Sequence, residues 1–240
     1  MRVGTLCLLL LFASLPAAAQ ELVVPSVTDP VPPRTASSAE GFAPRGWQVE
    51  FQRQGDLNRD GIADLVVILR DRAAANILPN PDGLGEDPLD TNPRLLVIGF
   101  GTGAGTYALA VSNHSLIPRR EDPVVSDPLT VPEGVGIERG VLRITLDFFM
   151  SAGGWGMSTT TYRFRYQNDR FEMIGYDRTE IQRNTGETDT ISINYSTGKA
   201  KHSIGSIEND KEKVTWRTVP KRPLLTLEEI GDGLEFDPKM

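Results

Sequence analysis

From Trp47 onward the apolar residues recur at a period close to two, and that pattern excludes most folds at once. In WQVEFQR, Trp47, Val49 and Phe51 alternate with Gln48, Glu50 and Gln52, as a half-buried strand requires. DLVVILRD (64–71) is a short apolar run rich in Val and Ile, which fits a more fully buried strand. RLLVIGFG and YALAVSN (107–113) form a strand pair across the glycine-rich GTGAGT. GVLRITLDFFM, TTTYRFRYQ and RFEMIGYDRTEI continue the series, the last two around the turn-forming Asn168-Asp169. DTISINYSTGKAKHSI gives a further hairpin about Thr197-Gly198. No helical stripe is present, apart from a single turn at 71–76. The expected class is all-β, a single domain of antiparallel hairpins. A folded part of roughly 190 residues would also supply four or five blades, so a small or irregular propeller stays open.

The start of the chain bears on compartment. Met1-Arg2, the apolar run Leu6 to Leu15 and the small residues Ala17-Ala18-Ala19 read as a secretory signal over 1–19. Cys7 sits within that run and lacks the small-residue lipobox of a lipid anchor. A soluble, periplasmic protein is expected, with full secretion the alternative. Once residues 1–19 are removed the chain has no cysteine, hence no disulfide. It must hold its long loops by other means, which favours a metal. Loss of Arg2 takes the net charge from −7 to −8. Such a balance disfavours nucleic acid and anionic membrane surfaces and suits a basic protein partner. No membrane insertion is expected. Five prolines among Ser, Thr and Ala over 20–45 give the composition of a flexible leader. The folded domain is expected over 46–240, loosely ordered after about 220. The Pro-, Asp- and Gly-rich stretches 79–93 and 115–134 are expected to be long loops.

GDLNRDGIADL (55–65) places Asp56, Asn58, Asp60 and Asp64 on one short loop around Gly61. Carboxylates so close repel unless a cation lies among them, and an all-oxygen set suits Ca2+. An EF-hand would carry Glu at the twelfth loop position, where this chain has Val67, and the flanks read as strands. The alternative is a hydrated acidic turn without an ion. PDGLGEDPLD (81–90) occurs once and is read as loop. The glycines of FGTGAGT lack the phosphate-binding order, and no helix follows them. Catalytic sets are thin. The chain has two histidines, His114 and His202, no G-x-S-x-G elbow, and no carboxylate pair that stands out beyond the acidic loop. No enzyme is expected, although carboxylate hydrolysis is a rival class.

FFMSAGGWGMSTTTYRFRY (148–166) interrupts two β-prone runs with a glycine-rich tip. Ser151, Gly153, Gly154, Trp155 and Met157 are the candidate partner-binding residues, since an aromatic anchor on a rigid hairpin is a common contact element. Equally, Trp155 could fold back and cap the core. Tyr162, Phe164 and Tyr166 alternating with Arg163 and Arg165 read as core against surface.

The acidic loop resembles the D-x-[DN]-x-D-G-x-x-D-[LFV] calcium loop of FG-GAP and VCBS-type β-proteins. That resemblance implies side-chain ligation by Asp56, Asn58, Asp60 and Asp64, with the Ile62 carbonyl as a further ligand. Together with YRFRYQNDRFEMIGYDR and TGETDTISINYSTGK, residues 46–205 resemble a family of small exported bacterial β-proteins. Its best-understood members are periplasmic immunity proteins of the xanthomonad type IV secretion killing system. The resemblance implies structural calcium and inhibition of a peptidoglycan-hydrolysing, lysozyme-like effector. A calcium-stabilised envelope module that binds glycan or protein is the alternative function.

Overall fold

The computed structural model describes residues 22–238; the expected signal over 1–19 lies outside them. Among the described residues the regular structure is strand, with three short 3-10 turns and no α-helix. The chain first lays down β1 (Thr35–Ala36), β2 (Trp47–Gly55) and β3 (Asp64–Asp71), then the short pair β4 (Ile77–Leu78) and β5 (Leu89–Asp90). After β6 (Arg94–Gly101) and β7 (Tyr107–Asn113) a five-stranded antiparallel sheet is complete, in the order β1-β7-β6-β3-β2. The second sheet is a seven-stranded meander in which each strand pairs with its sequence neighbour. It runs through β8 (Val135–Glu138), β9 (Val141–Phe149), β10 (Gly156–Gln167), β11 (Arg170–Gln182), β12 (Glu187–Asn194), β13 (Lys199–Ser206) and β14 (Asn209–Thr218).

The non-alternating runs of β3 and β6 follow from burial on both faces. Val66, Ile68, Leu96 and Ile98 join Leu142, Ile144, Tyr162 and Tyr176 of the meander in the main core. Leu65, Val67, Leu69, Leu95 and Val97 point the other way, toward Ala36, Ala39 and Phe42. β10 shows the opposite case: Tyr162 and Phe164 are buried while the alternating Arg163 and Arg165 are not.

Two boundary expectations are corrected. Within 20–45, the part from Thr35 on is built into the domain rather than flexible. Thr35 and Ala36 pair with Ala108 and Tyr107, and Phe42 is fully buried. The first sheet has a second apolar face, and this segment covers it. Gly99 leaves the space, since a Cβ there would lie 2.8 Å from the Phe42 ring. The segment after 220 is also packed. Leu227 and Ile230 are buried, and Glu229 accepts the Thr226 N–H at 2.8 Å. The Tyr162 hydroxyl donates to the Gly233 carbonyl at 2.6 Å, and Phe236 lies 5.9 and 5.6 Å from the Tyr162 and Tyr176 rings.

Arginines fasten the two long loops. Arg119 donates to the Thr91 carbonyl at 2.5 Å, to the Pro25 carbonyl at 2.7 Å and to Asn76 Oδ1 at 3.2 Å. Arg120 pairs with Glu86 and donates to the Val125 carbonyl at 2.7 Å. Asp127 reaches back to Arg94 on β6. These contacts tie both long loops to the body of the domain.

Candidate functional site

The acidic loop joins β2 to β3, and its side chains organise the loop's own amides. Asp56 accepts Arg59 N–H at 2.6 Å and Gly61 N–H at 3.1 Å. Asn58 Oδ1 accepts Asp60 N–H at 3.0 Å, and Asp60 Oδ1 accepts Ile62 N–H at 2.7 Å. Arg59 and Gly61 both sit at positive φ, 67° and 83°. A Cβ on Gly61 would meet open space, so glycine is favoured there by backbone conformation and not by crowding.

Asp64 does something the sequence pattern did not announce. It is fully buried at the start of β3, where it accepts Leu57 N–H at 2.7 Å, Asn58 N–H at 3.2 Å and Gly101 N–H at 3.0 Å. It thereby locks the loop to the end of β6. Burial pushes its carboxyl above the usual range and Asp60's charge adds to this, against the lowering by the three amides. Hard oxygens only, on one loop, are the donors a calcium ion uses. The arrangement is closed on itself, however: among the described residues no three His, Cys, Asp or Glu side chains converge as a metal-holding group.

The second element is the turn between β9 and β10. Trp155 at its tip is 61% exposed, so of the two readings the projecting one holds. Arg183, just past β11, braces it from beneath. Its guanidinium donates to the Met150 carbonyl at 2.7 Å and the Gly154 carbonyl at 2.8 Å. The same group lies 4.5 Å from the Phe149 ring centroid and 5.7 Å from that of Trp155. Gly153 adopts φ 85°, and Ser151 donates to the Val124 carbonyl through both N–H and Oγ, at 2.8 and 3.2 Å. Met157 is half-buried opposite Phe149 and Ile181, a strand residue more than a tip residue. Of the candidate contact residues, Trp155, Ser151 and Gly153 face solvent.

Beside this turn opens a cleft of about 820 Å³ whose walls include Arg70, Glu86, Asp90, Arg120, Asp127 and Ser151. Its three carboxylates are all engaged by arginine: Glu86 by Arg120, Asp90 by Arg70, and Asp127 by Arg94 and Arg70. Carboxylates so neutralised are poorly placed for general acid–base work. His114 lies 3.4 Å from Asp29 and His202 2.9 Å from Asp189, both away from the cleft. The cleft was missed from sequence because its walls come from segments up to 81 residues apart; only the long loops hinted at it.

No family profile matches the chain, and no solved structure does. Among curated proteins, the chromosomal replication initiator protein DnaA of Rhodopseudomonas palustris (strain BisB5) is 36% identical over 99 residues. That alignment covers 34% of this chain and 21% of DnaA. The chain thus spans about a fifth of the length of the curated relative it matches, and the likeness is too short to show a shared family.

Proposed function

We propose that the protein is an exported, non-catalytic inhibitor of a peptidoglycan-hydrolysing, lysozyme-like enzyme, stabilised by calcium. The observation that carries this reading is the presentation of Trp155. A large aromatic side chain left in water on a turn braced by Arg183 loses little conformational freedom on contact, as a binding anchor should. The acidic balance of the chain, −7 in total, would speed encounter with a basic hydrolase. The test is a peptidoglycan-clearing assay in which lysozyme-like hydrolases, including any encoded beside this protein, are titrated with it. The protein alone is expected to clear nothing and to slow the hydrolase. Clearing by the protein itself, abolished by one carboxylate substitution, would overturn the non-catalytic reading.

One calcium ion is assigned to Asp56, Asn58, Asp60, Asp64 and the Ile62 carbonyl, on the strength of the oxygen-only donor set. The ion's role is structural. An ion that binds the native state alone stabilises it by about 2.7 kcal/mol at a hundredfold excess over Kd. Thermal melts should therefore separate in calcium and in chelator, and Asp60→Ala should abolish the separation. Coincident parent curves would remove calcium from the account.

The alternative is a calcium-stabilised envelope module that binds glycan or protein; the cleft beside the Trp155 turn, walled by arginines and carboxylates, favours glycan. Calorimetric titration with peptidoglycan fragments separates the two, because heat of glycan binding without hydrolase inhibition selects the module.

A further inference from the structure

The six lysines of this chain are Lys199, Lys201, Lys211, Lys213, Lys221 and Lys239, and none precedes residue 199. Residues 199–222 hold seven Lys and Arg against three Asp and Glu, a net charge of +4. The remainder of the chain is then −11, since the whole is −7. A net negative charge therefore hides a basic pole, and that pole is one structural unit, the β13–β14 hairpin with the chain just beyond it.

The same hairpin carries a concentration of exposed apolar side chains. Trp216 is 66% and Ile207 64% exposed, with Ile204 and Val214 also open to solvent. β14 is the free edge of the seven-stranded sheet, and every one of its residues is exposed. The core ends at Ala200 and Ser203 on β13, so β14 stands beyond it as a projecting blade. The blade is held in place: Ile207 N–H donates to the Gly186 carbonyl at 2.9 Å, and Lys201 pairs with Glu212 at 3.5 Å.

Edge lysines alone are a known protection against strand-to-strand aggregation, which accounts for Lys211 and Lys213. It does not account for Trp216 and Val214 left in water on the edge strand, nor for Ile204 and Ile207 on β13 and its turn. Cations beside Trp and Ile are instead the composition of an element that seats in the headgroup layer of a bilayer. We propose that the β13–β14 hairpin docks the protein on an anionic phospholipid surface. Screening at physiological salt acts over about 8 Å, so headgroup charges attract the lysines they touch and little reaches the acidic body. An approach with the acidic body first is repelled over the same short range, so the hairpin leads. Overall charge alone had argued against such a surface; the asymmetry reverses the conclusion for this pole.

The experiment is co-sedimentation of the purified protein with vesicles of phosphatidylglycerol and phosphatidylcholine in equal parts, and with phosphatidylcholine alone. Retention on the anionic vesicles only, released by 0.5 M NaCl, is expected. Each basic residue near such a surface contributes about fivefold, so the double variant Lys211→Glu, Lys213→Glu should bind at least about thirtyfold more weakly. Trp216→Ser should also weaken retention, and neither variant should lower the melting temperature, because all three side chains are exposed. No retention, equal retention on both vesicles, or indifference to the double substitution overturns the proposal. So does a dimer in sedimentation velocity that Trp216→Ser dissolves while vesicles retain nothing, which would assign the edge to a second copy of the chain.

Discussion

Replacing Arg94 with methionine is expected to destabilise the protein by about 3–5 kcal/mol, because it strands two carboxylates at a partly buried site. Arg94 is buried on β6 and uses both edges of its guanidinium. Nε and Nη2 donate to Glu50 at 2.6 and 2.8 Å, while Nη1 and Nη2 donate to Asp127 at 2.6 and 2.8 Å. Arg70 is the remaining cation, at 3.2 and 3.4 Å from the same two carboxylates. The pair also anchors the 115–134 loop, so the loss should be felt as loop opening as well as lower stability. Burial raises the Asp127 carboxyl, but the Arg94 hydrogen bonds and charge outweigh it and hold the group below its usual range. A carboxylate depressed in the folded state adds stability above its unfolded pKa, about 4, which is lost as pH falls through the folded value. Urea melts at pH 7 and pH 3 check both points. The variant should be weaker at pH 7 and should lose less than the parent on acidification. A change under 1 kcal/mol at pH 7 would show that the cluster is not what holds the loop.

Phe42→Ala should cost a similar amount, about 3–5 kcal/mol, as expected when a fully buried Phe is truncated and the site cannot collapse. Phe42 covers Leu65, Val67, Leu95 and Val97 on the outer face of the first sheet, and β1 pins the segment that carries it to β7. The cavity left would lie between that segment and β6, where Gly99 supplies no side chain to fill it. The same urea melts read the effect. A loss below 1 kcal/mol would restore residues 20–45 to the role of a flexible leader.

What could be read in the sequence was local. Asn168-Asp169 forms its hairpin because both residues accept positive φ, 54° and 59°, as a two-residue turn with right-handed twist demands. The turn at Thr197-Gly198 is a longer one, a four-residue connection over 195–198 in which Gly198 supplies the positive φ, 65°. The acidic loop was legible in its composition, since spacing and glycine are written within nine residues. Its attachment was not: Asp64 meets the Gly101 amide 37 residues away. Phe42 reads as leader because the face it covers is made by residues 65–97. The Glu50–Arg94–Asp127 cluster joins positions 44 and 33 residues apart, and no single window contains it. β14 escaped because an edge strand exposed on both faces shows no alternation of burial. Trp155 was undecidable locally, since its exposure depends on Arg183 holding the turn from 28 residues away.

The claim that Trp155 is the contact element of a hydrolase inhibitor rests on one comparison. A lysozyme-like hydrolase is titrated with the parent and with Trp155→Ala while peptidoglycan clearing is followed, and both proteins are melted in the same buffer. Truncating a buried interface Trp commonly costs about 2 kcal/mol or more, some thirtyfold in affinity. With the side chain 61% exposed in the free protein, the melting temperature should not move. Inhibition by the parent is expected, weakened about thirtyfold in a variant that melts as the parent does. Failure of the parent to inhibit, or undiminished inhibition by well-folded Trp155→Ala, would contradict it.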